Sequence, residues 1–323
     1  MFRTPGGARA GIVVQFALLA VAWGSSFLLI KIGLDDLSPA QVVLARLLFG
    51  ALALGALVVI TRRPVPRDPR VWGHLTVVAM LLCVVPFALF AWAEQRISSG
   101  LASILNATTP LITMLFATAM LAGERMNRDR TSGLVLGFAG VVAIIGPWRG
   151  LGEHNDLLPQ LACLGATACY GLAFAYLRRF VSGRGHSAPA LAFVQVLIGA
   201  VIMVIAAPWV ASEPVDRLSG VVIISMVVLG AFGTGMAYVW NNNIVAAWGA
   251  ANAAAVTYLS PVVGVLLGVV LMGEPLTWNQ PVGAALVLLG IMAAHGRLGG
   301  ISHRQRGTPE VSGGSRAAPG RHR

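Results

Sequence analysis

The chain has 323 residues, 57% of them hydrophobic and only 11% charged, with a mean hydropathy of +0.78 and a net charge of +11. A soluble domain carries about 25% charged residues, so this chain has too few to cover a water-facing surface. Three cysteines are too few, and odd in number, for a disulfide framework.

Apolar runs of roughly 20 residues, each long enough to cross a bilayer, recur at 11–30, 39–60, 72–93, 99–121, 131–147, 158–180, 188–209, 218–241, 250–272 and 279–296. They lack the strict alternation of barrel strands, so the expected fold is an all-α polytopic membrane protein with ten transmembrane helices. Ala20-Val21-Ala22 resembles a signal-peptidase site, but the apolar run continues through Phe27 to Ile30, longer than a signal h-region. It reads as the first helix.

With a cytoplasmic N-terminus, residues 1–10, 61–71, 122–130, 178–187, 242–249 and the tail lie inside and hold 18 of the 23 Lys/Arg. Lys31, Arg96, Arg149 and Arg217 lie outside, and Arg46 lies within the second run. This bias follows the positive-inside rule and predicts a multi-pass inner (plasma) membrane protein with both termini cytoplasmic. The basic balance is a topology device, so nucleic acid is not expected as a partner. The tail 297–323 is rich in Gly, Ser, Pro and Arg and reads as a disordered basic segment.

A shift of 150 residues lays Leu121-x-Gly123-Glu124 on Leu271-x-Gly273-Glu274, Gly133 on Gly283, Leu136 on Leu286 and Gly140 on Gly290. Pro110 matches Pro261, Pro39 matches Pro189, and Trp23-Gly24 matches Tyr170-Gly171 within a few residues of the same shift. Several echoes in one order mean an internal duplication. Each copy has five runs, an odd number, so the second copy is expected to enter the membrane inverted, with Glu124 and Glu274 at opposite faces. Inverted repeats are common in secondary transporters, whose substrate sites lie between the halves near the midplane.

The Gly-Glu pair reads first as a helix stop followed by a carboxylate at the N-terminal end of the next helix. The other reading is a gate, pairing with Arg125 or Arg128. Pro110 and Pro261 each free a carbonyl four residues back, at Asn106 and Thr257. Ser103 shares the face of Asn106. These polar groups either repair kinks or line a substrate cavity, for which Trp23, Tyr170, Asn252 and Tyr258 are further candidates. Arg46 is expected to snorkel outward or pair with Asp35 or Asp36 in preference to touching substrate, Lys31 to anchor at the interface, and Glu94 to sit near water; Arg46, Glu94, Glu124 and Glu274 are the candidates for gating or coupling. Any proton coupling must use edge groups such as Glu94. The run Asn241-Asn242-Asn243 reads as a loop or cap, and Gln195 and Tyr176 could face a cavity or a neighbouring helix.

Two five-helix halves, each ending in Pro, then Gly-Glu-x8-Gly-x6-Gly, with AWGSSFLLIK at 22–31 and ARLL at 45–48, resemble the EamA-type transporters of the drug/metabolite transporter superfamily. The resemblance covers 11–296 and departs from the pattern at Pro275, where the first half has Arg125. It implies two repeats, 11–147 and 158–296, joined by an outer loop at 148–157 and preceded by a cytoplasmic segment 1–10. It also implies export of small metabolites, amino acids or drugs by alternating access. The alternative is a non-transporting receptor or scaffold on the same fold.

No histidine stands at metal-ligand spacing from a cysteine or acid, and no GxxxxGK[ST] motif occurs. The expectation is therefore no enzyme, no cofactor and no metal. The partners expected are a small-molecule substrate and membrane lipid, with a coupling proton and a homodimer left open.

Overall fold

The computed structural model describes residues 5–121, 126–146, 148, 156–181, 185–248 and 256–294, and every regular element among them is helical. In chain order these are α1 (Pro5–Gly33), α2 (Pro39–Ile60), α3 (Pro69–Glu94), α4 (Ser99–Met120, broken at 107–108), α5 (Arg128–Ile145), α6 (Leu157–Phe180), α7 (Ala188–Val210), α8 (Gly220–Val228, continuing to Trp248), α9 (Val256–Met272) and α10 (Asn279–Ala294). Seven of them, α1 to α4 and α6 to α8, are long and apolar enough to cross a membrane. The apolar stretch of α9 and the whole of α10 are shorter, and α5 opens on Arg128-Asp129-Arg130. The loop at 149–155, the tail and the first Gly-Glu pair, Glu124 included, lie outside the described residues, as does Asn252.

Local chemistry sets where helices begin. Ser38 and Gln41 form a reciprocal capping box at α2, with Ser38 N–H donating to Gln41 Oε1 at 2.9 Å. Asp68, Ser98, Asn127 and Ser219 cap α3, α4, α5 and α8 through their side chains. In hydrocarbon these orphan N–H groups would have no water to turn to. The faces left outward are apolar: Leu52, Val59, Ile60, Ile205, Val270 and Leu271 are all more than three-fifths exposed. That is the reverse of a soluble surface and suits lipid, with Trp209 and Trp278 exposed near helix ends, where aromatic belts form.

Small residues set the closest approaches. A Cβ on Gly283 would stand 2.6 Å from the Gly140 carbonyl oxygen, and one on Gly290 2.5 Å from that of Gly133. Gly133 therefore faces Gly290 while Gly140 faces Gly283, which makes α5 and α10 antiparallel. Gly24 of α1 lies against Ser260 and Val263 of α9, and Gly171 of α6 against Ile112 and Thr113 of α4. These are the tight seams that small-residue motifs permit between membrane helices.

Two features differ from the sequence reading. The asparagine run is not a loop: Asn241, Asn242 and Asn243 lie in α8, where Asn243 Nδ2 donates to Gln15 Oε1 of α1 at 2.9 Å. A partner on a neighbouring helix satisfies the amide that would otherwise favour a turn. Each half also holds a π-helical segment, Met80–Val84 in α3 and Leu229–Met236 in α8, starting 149 residues apart. Such bulges are rare and concentrate at functional sites.

Candidate functional site

The two π segments face a cluster that joins six helices. Arg46 of α2 is 8% exposed, donates from Nε to Thr234 Oγ1 of α8 at 3.1 Å, and stacks its guanidinium over Phe87 of α3, 3.6 Å from the ring centroid. Tyr170, Tyr238, Cys83 and Glu94 are close enough to act on its charge. Gln195 of α7 donates through Nε2 to Tyr238 Oη and to Cys83 Sγ, both at 3.3 Å. Phe90 stacks on Tyr170 at 6.1 Å between centroids and meets Phe27 edge-on at 5.3 Å. A cation over an aromatic face gains from the ring quadrupole, most strongly where water is excluded.

This placement corrects the expectation for Arg46. It does not reach outward to Asp35 or Asp36: Thr234 and Phe87 hold it inside, and Asp36 accepts instead from Ser219 N–H at 2.7 Å. Ser219 hydrogen bonds, helped by Arg217, hold the Asp36 carboxyl below the usual carboxylate range. Gln195, which the sequence left open, packs inward at 4% exposure. Tyr176 instead lies beside His74, whose Nδ1 is 2.8 Å from its hydroxyl.

The kinked helices form a second group. Pro110 does free the Asn106 carbonyl, and Thr109 Oγ1 takes it at 2.8 Å. The repair is thus done by Thr109, and the same hydroxyl lies 3.4 Å from Asn106 Oδ1. Asn106 itself is half-buried at the break in α4. Ser103 is 1% exposed and spans the seam to α9, donating to the Ser260 carbonyl at 3.4 Å, and Gly264 packs against it. Pro261 lies inside α9, which also carries Tyr258 and the half-buried Thr257. Trp23 is half-buried against α8 and Trp248 is part of the same apolar cluster. Trp23 and Tyr170 precede the two glycines that contact α9 and α4, so the matched aromatic positions flank the matched kinked helices.

A third group gathers at the end of the bundle marked by Lys31. Gly273 has φ +64°, a left-handed conformation that ends α9 as the sequence predicts. Glu274 does not serve the following helix. Its carboxylate accepts from Ser99 N–H at 2.7 Å, Ser99 Oγ at 3.0 Å and Gly100 N–H at 3.0 Å, capping α4 from the other half of the chain. A carboxylate on free N–H groups at a helix start is favoured by hydrogen bonding and by the helix dipole. Nearby, Gln41 Nε2 donates to the Ala211 and Glu213 carbonyls, and Asn279 Nδ2 to those of Ala143 and Ile144. Lys31 is no simple interface anchor: its Nζ donates to the main-chain carbonyls of Glu94 and Ile97. Glu94, expected near water, is fully buried.

The cluster was partly within reach of the sequence. Arg46 and Gln195 are 149 residues apart, as are Glu94 and Asn243, one short of the 150-residue shift of the Pro39–Pro189 match and equal to the offset between the two π segments. Phe87, Thr234 and Tyr238 carried no comparable signal. Among the described residues no group of three His, Cys, Asp or Glu could hold a metal ion. What the cluster offers is a buried cation, an amide, phenols and ring faces.

The EamA-like transporter family matches twice, over residues 11–146 and 157–294. A probable amino-acid metabolite efflux pump of Escherichia coli K12 is 27% identical over 85% of this chain and 91% of that protein. An uncharacterized inner membrane transporter of the same strain, YedA, is 27% identical over 80% of this chain and 82% of that one. A solved crystal structure covers 88% of this chain and 96% of its own with a TM-score of 0.61 at 20% identity, a likeness of fold. With nearly all of its apolar length inside the two matches, the chain belongs to the EamA-like transporter family of the drug/metabolite transporter superfamily, a multi-pass inner-membrane transporter of small molecules and not an enzyme.

Proposed function

We propose that the protein is a secondary exporter that moves a small polar or amphipathic metabolite, an amino acid or related compound, out of the cell by alternating access. Its working parts are two inverted five-helix halves, 11–147 and 158–296, ten spans in all with both termini cytoplasmic. The observation that carries this reading is the crossed glycine seam. Gly133 and Gly283 are equivalent in the duplication, as are Gly140 and Gly290, yet each meets the other's equivalent. A residue i that meets j while the mate of j meets the mate of i is what a two-fold axis demands. Between antiparallel helices that axis lies across them, in the membrane plane. The second pair of seams agrees: Gly24 on Val263 and Gly171 on Ile112 exchange under the same operation.

The positive-inside bias puts the Lys31 end outside. Opening there breaks the hydrogen bonds that Gln41 and Asn279 donate and that Glu274 and Asp36 accept, all of which join one half to the other. Glu124 and Glu274 act as gate elements at opposite faces. Substrate passes between α4 and α9, in contact with Asn106 and Thr257 and walled by Trp23 and Tyr170, with Asn252 and Tyr258 as further candidates for contact. Arg46 favours a solute with a carboxylate over a cationic one. The name of the E. coli relative, an amino-acid metabolite efflux pump, fits the same substrate class.

Bacteria expressing the protein, and a vector control, are loaded with dipeptides, and the metabolites released are compared by mass spectrometry. A selective rise of one amino acid or related compound is expected. An unchanged medium across amino acids and related compounds, with the protein verified in the membrane, would overturn the export reading.

A further inference from the structure

Glu94 closes α3 with 0% of its surface exposed, and neither carboxylate oxygen has a hydrogen-bond partner. A cation is at hand but engaged elsewhere, since Lys31 Nζ is spent on the carbonyls of Glu94 and Ile97. The charged and titratable groups that bear on Glu94 come from every side: Lys31 on α1, Arg46 on α2, Cys163 on α6 and Glu274 in the turn after α9. Arg46 is held by Thr234 and Phe87, and Glu274 by Ser99 and Gly100. The first turn of α4, packed on the end of α3, brings only neutral residues. So the closed Lys31 end buries a carboxyl that has no donor and stands near a second carboxylate.

Taking an ionised carboxylate out of water with no donor is costly, and a neutral acid is far cheaper to bury. Closure of this end as it stands therefore goes with a proton on Glu94, whereas the ionised form favours water and an open end. Position 243, its equivalent in the duplication, is an asparagine that bonds Gln15 and cannot titrate. Only the first half has a proton to exchange at this place.

We propose that Glu94 is a proton-binding site of the transport cycle, taking a proton from water at the open Lys31 end and thereby permitting that end to close. The proposal rests on the alternating-access reading above. It makes Glu94 a coupling residue and Glu274 the latch that its protonation sets, since Glu274 holds the start of α4 and its carboxylate stands near that of Glu94.

Hydrogen–deuterium exchange of the full-length protein in lipid nanodiscs reads the latch directly, through the amides of Ser99 and Gly100 in a peptide covering 95–103. After correction for intrinsic exchange, opening in the native protein should rise with pH by up to about tenfold per unit, the slope of one proton. Glu94→Gln should stay closed at every pH, and Glu94→Asp, which keeps a carboxyl, should restore a pH response. Glu94→Gln with the native pH dependence would overturn the proposal. Infrared spectra give a second readout that needs no opening: the carbonyl band of a neutral carboxylic acid should be present in the native protein at neutral pH and lost in Glu94→Gln. Its absence from the native protein, with Ser99 still protected, would equally overturn it. A failed efflux assay beside an intact pH response would sink the export reading and leave the proton site standing.

Discussion

The two halves of this molecule share a frame and differ in charge. Each has a glycine that seats a kinked helix, a π segment in its third helix, and a polar residue seven positions into its second helix that reaches toward the other half's π segment. In the first half that residue is Arg46, bonded to Thr234; in the second it is Gln195, bonded to Cys83 and Tyr238. Glu94 and Asn243 repeat the contrast one helix later. The shared features build a common scaffold. The unshared ones, a buried cation and a buried acid on one side only, are where a vectorial function has to lie, because a perfectly symmetric carrier gives no reason to treat its two faces differently.

The largest effect should come from breaking what the halves share. Gly290→Val puts branched carbon where even a lone Cβ would stand 2.5 Å from the Gly133 carbonyl oxygen, so it should cost about 3 kcal/mol or more by overpacking a backbone that has nowhere to go. Its thermal midpoint in detergent should fall sharply, and a native midpoint would dissolve the crossed seam. Next, Arg46→Gln makes the first half copy the second. The folded protein should persist, because glutamine can still reach Thr234, while efflux drops by tenfold or more. Efflux at the native level would move the functional weight off the asymmetry.

Asn106→Ala is a subtler probe of the kinked helices. Thr109 already satisfies the freed carbonyl, so the change should leave folding alone and lower efflux several-fold; unaltered efflux would return Asn106 to the scaffold. Glu274→Ala removes the acceptor for three donors at the start of α4 and should destabilise that contact by about 1–2 kcal/mol, the usual range for a lost cap. Hydrogen exchange at Ser99 and Gly100 should speed up accordingly. The smallest effect belongs to Asp36. Its carboxyl is held below the usual carboxylate range by Ser219, so the contact is complete above that range and is lost as pH falls through the depressed value. Asp36→Asn should make protection of the Ser219 amide independent of pH in acid.

Much of the fold was legible in the sequence. Apolar length gave the helices, and repeated Gly-Glu, Pro and Gly positions gave the duplication, because each marks a backbone need that few residues meet. The site was less legible, for three physical reasons. Arg46 lies seven residues inside α2, about 10 Å along a helix, and only tertiary partners decide whether such a side chain snorkels or turns inward. Glu94 reads as a helix-end acid until α1, α4 and α6 are packed over it. The partner of Glu274 is 175 positions away at Ser99, a distance at which local pattern has no say.

Inversion of the two halves is the claim on which the rest depends. Met126, beside the first Gly-Glu pair, and Leu276, beside the second, are both exposed in the structure. Single cysteines at these two positions, treated on intact cells with a membrane-impermeant thiol reagent, test it most directly. The account predicts that the cysteine at 276 is labelled from outside while the one at 126 is protected until the membrane is opened. Equal labelling of both would contradict it.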